Sequence, residues 1–282
     1  MKTKQALLWC FRVIFPILFY LVFTQVAAAV LLSALFVFFA VFHGSGPVEP
    51  LKLAYDFYMN HVLLVTVIMS VAVMPIFFWF YNKDKKGFRR CEPVPAACYG
   101  YIALLGIGMC LAVNNIITML NLQRFFGGYQ QVAASLYQNN LLFELIAMGL
   151  IIPLTEELLF RGLCFMRLRE RLPFRSAAVL SALLFAIYHG NMLQGLYAFC
   201  LGLAMAYVYE ACHSLAAPYV FHGAANILSV LITETALRGL VTGTAMRAAS
   251  TAAGLIVCVI GYYLIQKAAK PLHHLSDTQN VD

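Results

Sequence analysis

Three short motifs set ionisable groups into an otherwise apolar chain. "PLTEELLFRG", residues 153–162, carries Glu156, Glu157 and Arg161; "FAIYHGN" carries Phe185 and His189; "FHGAANIL" carries His222 and Asn226. An ionisable side chain inside a bilayer costs about 2.5–3.5 kcal/mol on insertion scales, so each is a functional candidate by default. Glu157 and Arg161 stand four apart with the acid first, the favourable helical order for an ion pair. Their bland role is mutual neutralisation. Glu156 lies about 100° further round the helix and lacks a local partner, so its partners must come from other helices. His189 shares a face with Phe185, and Asn226 with His222. Taken singly, each histidine is expected to bond a backbone carbonyl or cap a helix, and Asn226 to join two helices. Together, a carboxylate, two imidazoles and a carboxamide supply a general base, a proton relay and hydrogen-bond donors. That set suits activation of water and stabilisation of an oxyanion.

In this order and spacing, E-E-x-x-x-R, F-x-x-x-H and H-x-x-x-N resemble the CPBP intramembrane proteases. These are the CAAX-processing and bacteriocin-processing enzymes, also called the Abi family. The resemblance spans about residues 141–233. It implies a membrane endopeptidase in which Glu156 activates water with help from His189. His222 and Asn226 would hold the oxyanion, while Glu157 and Arg161 support the site. The expected substrate is a peptide or protein at the membrane, of prenylated CAAX type or bacteriocin type. The family carries a metalloprotease label, and a metal-independent mechanism is also proposed for it. The chain lacks the H-E-x-x-H helix of common zinc proteases. Glu156, His189 and His222 would nonetheless suffice as three zinc ligands with an open fourth position. Direct activation of water by Glu156 is the favoured expectation, with zinc or no cofactor both open.

The elements that must position these groups are membrane helices. Of the 282 residues, 62% are hydrophobic and 11% charged, with a mean hydropathy of +0.82. Soluble domains carry about 45–50% apolar and about 25% charged residues. Apolar runs near 13–42, 61–81, 97–122, 141–165, 175–192, 195–212, 215–233 and 245–266 have helical rather than barrel-strand lengths. The expected fold is therefore all-α, a polytopic helical membrane protein with about eight transmembrane helices. Residues 1–140 form helices 1–3, residues 141–233 the catalytic core of helices 4–7, and residues 234–282 the last helix and a tail. Pro16 is expected to separate an interfacial opening turn from the first span. Pro153 is expected to open its helix just before the two acids.

The net charge of +7 is a topology signal. Most Lys and Arg residues fall at the N-terminus, in "NKDKKGFRR", in "RLRERLPFR" and in the tail from Lys267. With eight crossings these lie on one side, and the positive-inside rule puts both termini in the cytoplasm, here of a bacterial membrane. The partners are lipid and substrate, not nucleic acid. Glu156 lies eleven residues before Arg167, about 16 Å from the basic loop, and His222 four after Pro218. Both predict a cavity opened from the cytoplasmic side. His189, sixteen residues past Pro173 or about 24 Å along a helix, fits only if that helix tilts or projects.

Other polar residues read as structural. Glu144 and Glu210 sit near span ends, and His43, His61, His213, His273 and His274 in loops, edges or tail. The scattered cysteines include no C-x-x-C pair, which speaks against a disulfide framework. Ser70, Ser181 and Ser229 lack the partners of a serine protease. Two other functions would use the same polar groups. A proton-coupled transporter would use them as a relay, but the first three spans have no counterpart cluster, as inverted repeats would require. A non-catalytic scaffold would tolerate Glu156→Gln.

Overall fold

The structure is a computed structural model that describes residues 3–43, 46, 48–85, 94–125 and 134–278, with side chains as far as Ala269. Parts of the basic segment "NKDKKGFRR" and of the turn "FFGGYQQ" lie outside the described residues, as does Cys91. Among the described residues every regular element is helical. We number them α1 (Thr3–His43), α2 (Val48–Asn60), α3 (Val62–Lys85), α4 (Ala96–Met119), α5 (141–169), α6 (Phe174–Tyr188), α7 (Met192–Cys212), α8 (Ala216–Glu234) and α9 (Thr244–Thr278).

Six of these are long and apolar enough to cross a membrane: α1, α3, α4, α7, α8 and α9. The other two expected spans take different forms. Residues 141–169 make one continuous rod, but its hydrogen bonding switches between α and π, with π stretches at Ala147–Ile151 and Leu158–Phe165. The span expected at 175–192 ends early. α6 is a 15-residue helix closed by a turn at Gly190, whose φ of +65° suits a residue without a Cβ. The side chain of Asn191 then caps α7 by accepting from the N–H groups of Leu193 and Gln194.

One expectation fails. α1 runs unbroken from Thr3 to His43 with Pro16 inside it, because the apolar residues on both sides keep the helix going. The external connection at 43–60 holds a further helix, α2, whose mixed polar and apolar sequence is too short to span.

The basic segments meet at one end of the bundle. Arg167 Nε donates to Asp84 at 2.6 Å, and Arg12 lies 3.1 Å from Glu170 and 3.5 Å from Asp84. Arg167 also donates to the carbonyl of Arg12, and Trp9 Nε1 donates to that of Arg167 at 2.8 Å. Arg169 pairs with Glu210 through two nitrogens. α1, α3, α5 and α7 are thus clamped where their positive charge gathers.

α8 is held by close backbone approach on two sides. A Cβ on Gly106 would meet the Phe221 carbonyl oxygen at 2.4 Å, and one on Gly223 would meet that of Gly149 at 2.7 Å. Only glycine permits both contacts, and the residue between them is His222.

Candidate active site

Pro153 and the π turn before it set up the site. A π turn closes i→i+5 hydrogen bonds, so residue 153 would donate to the carbonyl of Met148. Proline has no N–H to give. That carbonyl accepts instead from Nδ2 of Asn226, at 2.9 Å. The residue expected as an oxyanion donor therefore spends one of its two N–H groups on repairing α5.

One turn on, Glu157 and Arg161 pair at 3.0 Å with both side chains completely buried. Arg161 also donates to the carbonyl of Gly202 at 3.2 Å and stacks over the Phe185 ring, 4.6 Å from its centroid. A buried ion pair is tolerated when further partners satisfy it, and these do so in part. Glu157 Oε2 and Arg161 Nε have no hydrogen-bond partner among the described residues.

The remaining partner of Glu157 comes from α8. His222 Nδ1 donates to Glu157 Oε1 at 2.8 Å. Its other nitrogen, Nε2, then faces Glu156, 3.6 Å from Oε2. His222 thus stands between the two neighbouring acids. The buried Glu157–Arg161 pair fixes the imidazole, and the imidazole fixes its free nitrogen beside Glu156. This differs from the expected division of labour, in which His189 was to assist Glu156.

His189 caps the C-terminus of α6 and makes the bland contact, Nδ1 donating to the carbonyl of Phe185 at 2.8 Å. With Nδ1 carrying the proton, Nε2 is left as an acceptor. Its ring stands edge-on to Phe185, at 4.7 Å between centroids. His189 stands at the tip of the α6–α7 hairpin and lines the cavity.

Glu156, His189, His222 and Asn226 all line one cavity of about 530 Å³. Glu157 and Arg161 lie behind its wall. Two lining residues escaped the reading of the sequence. Tyr188 gave no signal beyond its place beside His189, and Tyr20 is one of many aromatic residues on α1. Their rings are 5.8 Å apart, and both line the cavity with Glu156. Tyr20 also shares a 3.3 Å hydrogen bond with Ser70, whose carbonyl accepts from Thr155. Ser181 donates to the carbonyl of Phe160. Glu144 is fully buried and accepts from the N–H of Asn139, a helix-end role, while Glu210 serves the basic end.

Among the described residues, none of the basic clamp lines the cavity, although an opening at that end was expected. The cavity wall extends away from it through Thr66 on α3, Asn114 and Thr118 on α4, and Gln123 beyond. Between Glu156 and the basic end every residue from Leu158 to Phe165 is buried.

Among the described residues no three His, Cys, Asp or Glu side chains are grouped to hold an ion. Nδ1 of each candidate histidine is already engaged.

Residues 138–228 match the family model of the Type II CAAX prenyl endopeptidase Rce1-like proteins. The matched stretch runs from just before α5 to the middle of α8, so it contains all six candidate site residues. No curated protein and no solved structure matches the chain.

Proposed function

We propose that this integral membrane protein, which carries an Rce1-like endopeptidase domain of the CPBP type, cleaves a membrane-associated peptide with water activated at Glu156. The observation that carries the reading is the line Arg161–Glu157–His222–Glu156, held by contacts of 3.0, 2.8 and 3.6 Å, ending at the cavity. Each of the first three groups restrains the next. Glu156 alone reaches the cavity as an acid without a committed partner.

The chemistry follows from that order. Glu156 takes a proton from water as the water oxygen bonds to the scissile carbonyl carbon. The carbonyl oxygen gains the negative charge. When the C–N bond breaks, Glu156 returns the proton to the leaving nitrogen, so no proton is gained or lost over the cycle. His222 Nε2 stands close enough to share that proton while it is held. The second N–H of Asn226 and the Tyr188 hydroxyl line the cavity as neutral donors for the oxyanion. His189 Nε2 serves as an acceptor for the attacking water. Zinc would supply a Lewis acid to the same carbonyl, and residues 141–233 would still provide the acid and the imidazoles.

The gathering of the basic segments supports placing them, and both termini, on the cytoplasmic side. The test is cleavage of a library of prenylated and unprenylated hydrophobic peptides by the purified protein in liposomes. Wild type is expected to cleave, and Glu156→Gln to fail while keeping its thermal unfolding midpoint. Wild-type activity that persists in a chelator supports carboxylate chemistry. Cleavage by Glu156→Gln at the wild-type rate would sink the assignment.

A further inference from the structure

We infer that the peptide reaches Glu156 from the end of the bundle opposite the basic segments, and enters as an extended, uncharged stretch. Under the positive-inside rule that is the extracytoplasmic half of the membrane. The substrate class rests on the hydrolytic reading above; the route does not.

Three observations carry it. The first is where the wall lies. Along α1 the lining residues begin at Tyr20 and run to Ala28, away from Arg12. Along α3 they are Val65, Thr66 and Met69, at the end furthest from Lys83. Thr118 stands 22 residues after Ala96, about 33 Å from the start of α4 at 1.5 Å per residue. No residue of the basic clamp lines the cavity. The most exposed lining residues are Gln25 and Gln123, and Gln123 follows the far end of α4.

The second is the plug at the other end. Phe160 and Phe165 are completely buried, as are Phe77 and Leu163, and Tyr209 packs edge-on against Phe165. Over this packed layer sits the clamp of Arg12, Asp84, Arg167 and Glu170. A peptide arriving through the basic end would have to break buried charge-assisted bonds and displace four aromatic rings. Among the described residues nothing comparable closes the path from Gln123.

The third is the chemistry of the passage. Gln25, Thr66, Asn114, Thr118, Gln123 and Gln194 line it, all neutral and all able to hydrogen-bond. Carboxamides and hydroxyls both donate and accept, which matches the alternating N–H and C=O groups of an extended main chain. The ionisable groups of the wall are confined to its floor, at Glu156, His189 and His222, together with tyrosine hydroxyls. A charged side chain in transit would find no counter-ion before that floor.

The test is side-specific labelling, which needs no knowledge of the natural substrate. Single cysteines are introduced into a cysteine-free chain at Asn114 and Thr118 in the passage, Gln123 at its mouth and Lys83 at the basic end. A membrane-impermeant maleimide is applied to intact and then to permeabilised cells of the expression host. The Asn114→Cys, Thr118→Cys and Gln123→Cys chains are expected to react in intact cells, and Lys83→Cys only after permeabilisation. Reaction of the two passage positions only after permeabilisation, or in neither preparation, overturns the route. The outcomes separate cleanly from the hydrolytic reading. Cleavage by Glu156→Gln defeats the reading and leaves the route standing, whereas inverted labelling with an inactive Glu156→Gln defeats the route alone.

Discussion

The two ends of this bundle are built on opposite principles. At the basic end, four helices are stitched by arginines to Asp84, Glu170 and Glu210, over a layer of interlocked aromatic side chains. At the other end the helices stand apart around a passage lined by amides and hydroxyls. Close packing supplies stability and rigidity, while hollowness costs stability and gives access. The site lies at the boundary between them. Its rigid members, Glu157 and Arg161, belong to the packed half, and its reactive members face the hollow one. A catalytic carboxylate needs both, since it must be held in place and still be reached.

That contrast can be broken, beginning with its largest consequence. Glu156→Gln should reduce turnover by about 10²–10⁴-fold, the usual worth of a general base, in the liposome cleavage assay. The packed half should hardly notice it, so the unfolding midpoint should stay within error of wild type. Glu157→Ala should do the reverse first, destabilising the fold by about 3–5 kcal/mol because Arg161 is left buried and unpaired. Thermal unfolding in detergent measures that loss. The double change Glu157→Leu with Arg161→Met should recover most of the stability and none of the cleavage, because His222 then has no anchor.

Smaller effects sharpen the same boundary. Asp84→Asn weakens the charge-assisted bonds to Arg167 and should cost about 1–3 kcal/mol of stability, while kcat/KM on an uncharged peptide stays at the wild-type value. A fall in kcat/KM without loss of stability would mean that the basic end takes part in catalysis after all. Tyr188→Phe removes a single hydroxyl near Glu156 and should cost about 0.5–1.5 kcal/mol of transition-state stabilisation. It should appear in kcat rather than KM, since the oxyanion exists only in the transition state.

The sequence was most legible where a relation lies within one helix. Four-residue spacing was enough to pair Glu157 with Arg161, and the missing N–H of Pro153 was enough to expect a disturbed helix ahead of the acids. It was least legible between helices. Nothing in "FHGAANIL" says that His222 turns to Glu157, or that Asn226 seeks the carbonyl of Met148, because those choices depend on the glycine contacts that seat α8. The π stretches leave no apolar period of their own in so uniformly apolar a segment, so a plain span was expected. Tyr20 was hidden for the same reason, as one aromatic among many on α1. The direction of the cavity was misread because depth from the basic loop was used as a guide to access. Depth tells how far Glu156 is from each end, and only side-chain packing tells which end is shut.

The π stretch Leu158–Phe165 carries one further lesson, about chain length. Its wide turns accommodate more residues for the same rotation than an α-helix does. Deleting a single codon there would let the segment wind as ordinary helix, which is no obstacle to insertion in a bilayer. It would leave Glu156 and Glu157 close to their present angle relative to Arg167, whose grip on Asp84 holds the lower half in place. The acids would then stay beside the imidazole of His222, and this stretch should tolerate the loss of one uncharged residue that an unbroken α-helix, turned by about 100° per residue, would not.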